Sequence, residues 1–411
     1  MPAQSIIEQA RRAYGSGWQP TFVSRAPGRL ELLGNHIDYN GGPVLAGAID
    51  RTVTAWADRS AKDIETTSLL ALDLGGGVDT IPTRNGLNVR SSGATSPVDY
   101  LSGILQALGE HGSPVRDGMQ IVISGDVPIG FGMSSSAALC VALTQMLAAS
   151  PLTGAEIVQV ARRAEHLTGA PVGAMDQSAS VAGGVILFDG ATGSMTPLTP
   201  ELGDHVFAVA HSGVHHALTQ SSYPTRVEES QQALRALQAE AHQDIEHLAS
   251  LDYAAWQSIL NEHPSWLTHT LRNRIDHVVS ETERVRQGVD AVQHQDWDRF
   301  GKLMVASGRS SALSYDISHP TVEELVEELN DRRGVLGARM MGGGEGGPAL
   351  ALVDSSAVPG LREALGKGFF QRHNLDPATS FEVCAFGPGA SLTVAEGQVV
   401  QANNPNPHPP R

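Results

Sequence analysis

Between Asp126 and Ala138 the chain reads DVPIGFGMSSSAA, with two glycines and three serines set between an apolar run and a stretch rich in Ala and Leu. A helix beginning at Ser134 to Ser136 presents unpaired backbone N–H groups and the positive end of its dipole. Gly130 and Gly132 remove side chains that would block an approaching anion. This suits a triphosphate. It equally suits a plain N-capped helix after a turn, since Ser is a favoured cap and Gly a favoured turn residue. No G-x-x-x-x-G-K-[ST] occurs, so a nucleotide here needs a loop of another kind. A second group, His211, His215 and His216, has no further ligand pair at a usual zinc spacing and reads as solvated side chains.

The elements that must position the loop follow from hydrophobic spacing. Residues 43 to 57 and 119 to 124 read as strands; Ser5 to Tyr14, Tyr100 to Leu108 and Ser134 to Ala149 read as helices. The polar stretch 84 to 97 is expected to be a surface loop. After residue 200 the texture changes. His215 to His263 and Arg274 to Leu329 are mainly charged helices with apolar residues three and four apart, so a domain boundary is expected near residue 205. Gln401 to Arg411, QANNPNPHPPR, is expected to form a disordered tail.

The whole chain sets bounds on function. Its 411 residues have room for two domains, and 41% hydrophobic with 18% charged residues is a globular composition. Lys and Arg number 28 against 44 Asp and Glu, a net −16 that disfavours nucleic acid and anionic membranes. Met1 to Tyr14 lacks the pattern of a signal peptide, and no apolar run reaches the ~18 residues of a membrane span. Only Cys140 and Cys384 are present, too few for a disulfide framework. A soluble, unprocessed, cytoplasmic protein is expected.

The loop resembles P-x-x-x-G-L-S-S-S-A of the superfamily of galactokinase, homoserine kinase, mevalonate kinase and phosphomevalonate kinase (the GHMP kinases), with Met133 at the Leu. Upstream, GRLELLGNHIDYNGG (Gly28 to Gly42) is similar to the galactokinase signature G-R-x-N-L-I-G-E-H-x-D-Y-N-x-G. Downstream, GAPVGAMDQ (Gly169 to Gln177) resembles G-x-P-x-G-x-M-D-Q, and GARMMGGGEGGPALALV (Gly337 to Val353) resembles G-A-R-M-T-G-A-G-F-G-G-x-A-x-A-L-V. Four motifs thus stand in family order. YPTRVE (Tyr223 to Glu228) and HVVS (His277 to Ser280) add weaker similarity.

The resemblance implies an α+β protein of two-domain GHMP-kinase-like architecture. A mixed-sheet N-terminal domain (1–204) and a ferredoxin-like C-terminal domain (205–400) enclose the active site, ahead of the tail at 401–411. It implies an ATP-dependent kinase that phosphorylates the C1 hydroxyl of galactose or a close relative, as a monomer or homodimer, with no nucleic-acid or membrane partner. Phosphoryl transfer to an alcohol needs aligned reactants, positive charge around the moving group and a carboxylate near the attacking hydroxyl. By resemblance, Asp176 accepts the hydroxyl proton or orients the nucleophile, with Arg29 beside it. Asn35, His36, Asp38, Gly173 and Tyr223 bind the sugar. Gly130, Gly132, Met133, Ser134, Ser135, Ser136 and Ala137 bind ATP, and Ser136 and Glu165 hold Mg²⁺. The cluster Gly342 to Gly347 shapes the cleft.

Three departures bear on this. Asn35 stands where galactokinases carry Glu, and its amide could admit a C6-altered sugar such as galacturonate or arabinose. Glu345 replaces an aromatic residue in the glycine loop. The spacing from Glu165 to Asp176 is one residue shorter than usual. A non-catalytic sensor of sugar and ATP is the competing class, although it need not keep Asp176 and Arg29.

Overall fold

The protein is described by a computed structural model covering residues 3–59, 64–84, 87, 89, 96–170, 172–214, 222–394 and 399–401. Its strands, in chain order, are β1 (Phe22–Leu33), β2 (Pro43–Arg59), β3 (Thr66–Ala71), β4 (Val78–Pro82), β5 (Met119–Gly125), β6 (Val185–Asp189), β7 (Met195–Leu198), β8 (His205–His211), β9 (Val335–Met340), β10 (Pro348–Asp354), β11 (Phe381–Cys384), β12 (Ser391–Val394) and β13 (Val399–Gln401). The helices are α1 (Ala3–Tyr14), α2 (Pro97–His111), α3 (Ser135–Leu147), α4 (Gly154–Leu167), α5 (Met175–Ala182), α6 (Tyr223–Glu240), α7 (Tyr253–Asn261), α8 (His269–Gln293), α9 (Trp297–Leu313), α10 (Pro320–Asn330), α11 (Val358–Lys367) and α12 (Phe369–Arg372).

Among the described residues these strands form two sheets. The first runs β13-β12-β1-β2-β5-β3-β4, with β6 and β7 extending from β2. It is mixed because β3 and β5 pair in parallel while its other pairs are antiparallel. The second is antiparallel, in the order β11-β8-β10-β9. The expected α+β organisation is present.

Local chemistry explains the elements nearest the cleft. Helix α2 begins with a capping box: Ser96 precedes Pro97, and Asp99 reaches back to the Ser96 N–H at 3.0 Å. The expected surface loop therefore ends at Ser96, and most of its length lies outside the described residues. Helix α3 is buried from Ala137 to Leu147, as its Ala- and Leu-rich composition demands, and packs on β1 and β2. Strand β1 is nearly all enclosed from Ala26 onward. Its pairing with β2 slips between Pro27 and Arg29 and again between Glu31 and Leu33. Such irregularities re-aim side chains, and here they flank Arg29 and Glu31.

The boundary expected near residue 205 coincides with the start of β8. The stretch 205–400 does not stay in one layer, however, because β12 and β13 return to the first sheet. Ser24 pairs with Leu392 and Ser391 with Gln401. Strand β12 supplies the hydrogen-bond partners that this edge of β1 would otherwise lack. Gln401, expected in the tail, belongs to β13; residues 402–411 lie outside the described residues.

Candidate active site

A cleft of about 280 Å³ lies between the layers. Its walls come from β1, the turn into α3, the start of α5, the first residue of α6 and the glycine loop between β9 and β10.

Arg29 and Asp176 meet at its centre. The Arg29 Nε and Nη2 donate to Asp176 Oδ1 and Oδ2 at 2.8 and 2.9 Å, and Nη1 donates to the Gly132 carbonyl at 2.5 Å. This bidentate fork fixes the carboxylate plane. Asp176 lies in the first turn of α5, which fixes its backbone as well. The Ser134 hydroxyl donates to Asp176 Oδ2. Three of about four carboxylate lone-pair sites are thereby filled, leaving one on Oδ1.

Ser134 adopts left-handed geometry (φ 57°) and α3 starts at Ser135, one residue later than expected. Its hydroxyl is turned onto Asp176, and no side chain caps α3. The first-turn N–H groups are left for an anion. Gly130, Gly132, Met133, Ser134, Ser135 and Ser136 all line the cleft. Ala137 does not: it is buried behind the loop, because the α3 turn carries it toward the core. The loop is held from outside by His211, whose Nε2 donates to the Gly130 carbonyl at 3.1 Å while Nδ1 accepts from the Gly213 N–H at 2.8 Å. The expectation of a solvated His211 is thus corrected; it is buried. His215 and His216 lie outside the described residues.

The sugar-side residues divide. Asp38, Gly173 and Tyr223 line the cleft. A Cβ at Gly173 would stand 1.6 Å from Asp38 Oδ2, so only glycine leaves that carboxylate in place. Burial pushes the Asp38 carboxyl up to about 6, with the nearby Asp176 and Glu31 charges adding to the rise.

His36 also lines the cleft, but both ring nitrogens are committed within the protein. Nε2 lies 3.2 Å from the Gly343 carbonyl and Nδ1 lies 2.9 Å from the Tyr39 hydroxyl. A carbonyl only accepts, so Nε2 carries the proton and Nδ1 accepts from Tyr39. Burial holds this imidazole neutral, with its pKa down to about 3. Tyr39 then accepts from Tyr315 at 3.0 Å, and Tyr315 accepts from Ser230 at 2.6 Å. The expected hydroxyl contact from the His36 ring is therefore replaced by a wall-building role. Asn35 is corrected too, since it is fully enclosed and does not line the cleft. Its Nδ2 is drawn onto the Gly342 carbonyl at 3.2 Å, and its own carbonyl accepts from His277 at 2.9 Å.

Glu165 and Ser136 both line the cleft. Burial, with the Asp176 charge adding to it, raises the Glu165 carboxyl to about 7 against hydrogen bonds from Gln177 and Ser136. No cluster of three or more His, Cys, Asp or Glu able to hold a metal occurs among the described residues. Mg²⁺ needs none, because it takes one or two protein oxygens and fills its shell with phosphate and water. The Ser136 and Glu165 pair fits that demand.

The sequence marks Glu345 as a departure without showing its role, and Glu31 was missed. Glu345 accepts from the Ser222 N–H at 3.0 Å, placing a carboxylate at the start of α6, which carries Tyr223. Glu31 lines the cleft and pairs with Arg339 at 2.7 Å. Its signal was available, since the fourth place of the galactokinase signature is Asn.

The two layers and the serine-rich loop aimed into the cleft define a GHMP kinase. The model of the GHMP kinases N terminal domain matches residues 99–184 and that of the GHMP kinases C terminal matches residues 289–371. Two mevalonate kinase structures share the fold, with TM-scores of 0.62 and 0.63 at 17% identity. Within that class, the galactokinase galactose-binding signature matches residues 11–59. Galactokinase from Homo sapiens is 34% identical over 86% of this chain and 90% of its own. That from Thermotoga maritima is 30% identical over 86% and 95%. The crystal structure of Lactococcus lactis galactokinase complexed with galactose superposes with a TM-score of 0.85 at 26% identity, covering 95% of this chain and 99% of that one. The chain belongs to the galactokinase family and is a phosphotransferase acting on a sugar hydroxyl.

Proposed function

We propose that the protein transfers the γ-phosphoryl group of ATP to the anomeric hydroxyl of galactose. The observation that carries this is the Arg29–Asp176 fork, standing between the open N-terminus of α3 and the wall formed by Asp38 and Tyr223. The free lone pair of Asp176 Oδ1 takes the hydroxyl hydrogen bond, then the proton. The sugar oxygen bonds to the γ-phosphorus as the bond to the β-phosphate oxygen breaks, and ADP leaves. Arg29 and the first-turn N–H groups of α3 offset the charge on the transferring group. Ser136 and Glu165 would hold Mg²⁺, which when bound neutralises phosphate charge. Asp38 and Tyr223 bind sugar hydroxyls.

Neutral sugars are favoured over galacturonate. Glu31, Asp38, Glu165 and Asp176 all face the cleft, and Arg29 is its one cationic side chain among the described lining residues. A substrate carboxylate would meet that excess of like charge. The free, buried Cys140 and Cys384 fit a reducing cytoplasm.

Sugar-dependent ADP release with MgATP tests the reading. Galactose should give the highest kcat/KM among galactose, galacturonate, arabinose, glucose and mevalonate. Asp176→Asn should lower kcat about 10²- to 10⁴-fold. Undiminished turnover in that variant would remove Asp176 from the chemistry. Binding of sugar and ATP by the native chain without ADP release would favour a sensor.

A further inference from the structure

Glu31 and Asn35 reverse the residue types of the family signature, which carries Asn at its fourth place and Glu at its eighth. The structure separates the two positions sharply. Glu31 lies two residues beyond Arg29 on β1, and the register with β2 is unbroken from Arg29 opposite Ala48 to Glu31 opposite Ala46. Residues two apart on a strand leave on the same face, so Glu31 and Arg29 both reach the cleft.

The Glu31 carboxylate is built in place. Its Oε1 accepts from Arg339 Nη2 at 2.7 Å, and the same Nη2 donates to the Glu31 carbonyl at 2.9 Å. Arg339 is fully enclosed, so one guanidinium edge fixes both the strand and the side chain. Oε2 has no hydrogen-bond partner among the described residues and is not one of the enclosed unpartnered oxygens, and Glu31 is a lining residue of the cleft. Its charge reaches the sugar wall, contributing to the raised pKa values of Asp38 and Tyr223. Asn35 is the opposite case. Its Nδ2 is spent on the Gly342 carbonyl, and its Oδ1 is sealed away without a partner.

Resting on the sugar-kinase reading, we propose that Glu31 is a specificity-determining residue of the sugar site, its Oε2 accepting one hydroxyl of a neutral hexose, while Asn35 stands behind the wall and reads nothing. An ionised carboxylate offers only acceptors. It therefore rewards a hydroxyl at that place, and the analogue lacking the hydroxyl leaves a charge without its partner.

The test is kcat/KM of the full chain with MgATP on galactose and on its 2-, 3-, 4- and 6-deoxy analogues, for the native enzyme, Glu31→Gln and Glu31→Asp. Natively, the analogue missing the contacted hydroxyl should be about 10- to 100-fold poorer than galactose. In both variants that one penalty should shrink to a few-fold through a higher galactose KM, with kcat nearly unchanged and the other three penalties intact. Glu31→Asp keeps the charge beside enclosed Arg339, so it carries the comparison if Glu31→Gln does not fold. Four penalties identical to the native ones in the folded variants would overturn the proposal and leave Glu31 as a structural partner of Arg339. Failure of the native enzyme to phosphorylate galactose would instead overturn the sugar-kinase reading beneath it.

Discussion

Asp38, proposed above to bind sugar hydroxyls, occupies a site unfavourable to its charge. Its carboxyl titrates near 6 because burial and the Asp176 and Glu31 charges oppose ionisation. A folded pKa above the unfolded one means that ionising the group costs stability. The cost is absent below about pH 4, grows through the interval and is complete above about pH 6; with partial solvent screening it amounts to about 2 kcal/mol. Yet the ionised form, with both oxygens free to accept, is the stronger partner for sugar hydroxyls. Asp38→Asn should therefore stabilise the free protein by about 2 kcal/mol at pH 8 and by almost nothing at pH 4. It should also lower kcat/KM for galactose about 100-fold and abolish an acid limb near pH 6 in the native profile. Urea midpoints at the two pH values and a kcat/KM profile check both halves. A native profile flat between pH 5 and 7 would show that this carboxylate does not govern sugar capture.

The glycine loop and α6 illustrate how one element positions another. Glu345 sits at φ 57°, a region costly for a residue with a Cβ. Its carboxylate accepts from the Ser222 N–H at the positive end of α6, a favourable place for negative charge. Glu345→Ala loses the anchor and keeps the strain, and should cost about 1–2 kcal/mol; Glu345→Gly loses the anchor but relieves the strain, and should be nearly neutral. Both should raise the galactose KM about 3- to 10-fold through Tyr223, with kcat little changed. Equal stabilities for the two variants, or an unmoved KM, would contradict this account. The same pair shows what the sequence could reveal. The start of α2 has a local signal, Ser96-Pro97 with Asp99 three residues on, that hydrophobic spacing passes over by beginning the helix at Tyr100; the serine loop was legible because its signal, glycines before a helix, is local. The partners of Glu345, His211 and Arg339 were not, since Ser222, Gly130 and Glu31 are distant in the chain. Asn35 misled because its position in the signature matches a sugar-binding place, while its amide is drawn onto the carbonyl of Gly342, a residue distant in the chain.

At the scale of the whole molecule, the two sheets share one continuous buried cluster, and Glu281 of α8 ties its layers together. It is fully enclosed; Oε1 accepts from the Gly34 N–H at 2.9 Å and Ser307 at 2.6 Å, and Oε2 accepts from Arg284 at 2.6 Å. Burial pushes this carboxyl up, but Arg284, His277 and Arg339 together pull it down to about 2. With the folded pKa below the unfolded value of 4.5, its contribution is complete above about pH 4.5 and is lost as pH falls toward 2. Glu281→Gln, which leaves Arg284 without its charge partner, should cost about 3–5 kcal/mol at pH 7 and move the acid-unfolding midpoint to higher pH. The shared core makes a further demand on the native chain. Trp18 and Trp56 report on the first sheet, while Trp256 and Trp297 lie on α7 and α9, yet urea should unfold all of them in one transition that coincides with loss of far-ultraviolet circular dichroism. Two separated transitions would mean that the layers fold as independent domains. The Arg29–Asp176 fork and the glycine loop would then be held in register only by contacts across the cleft, and ligand binding, rather than the core, would set the geometry of the site.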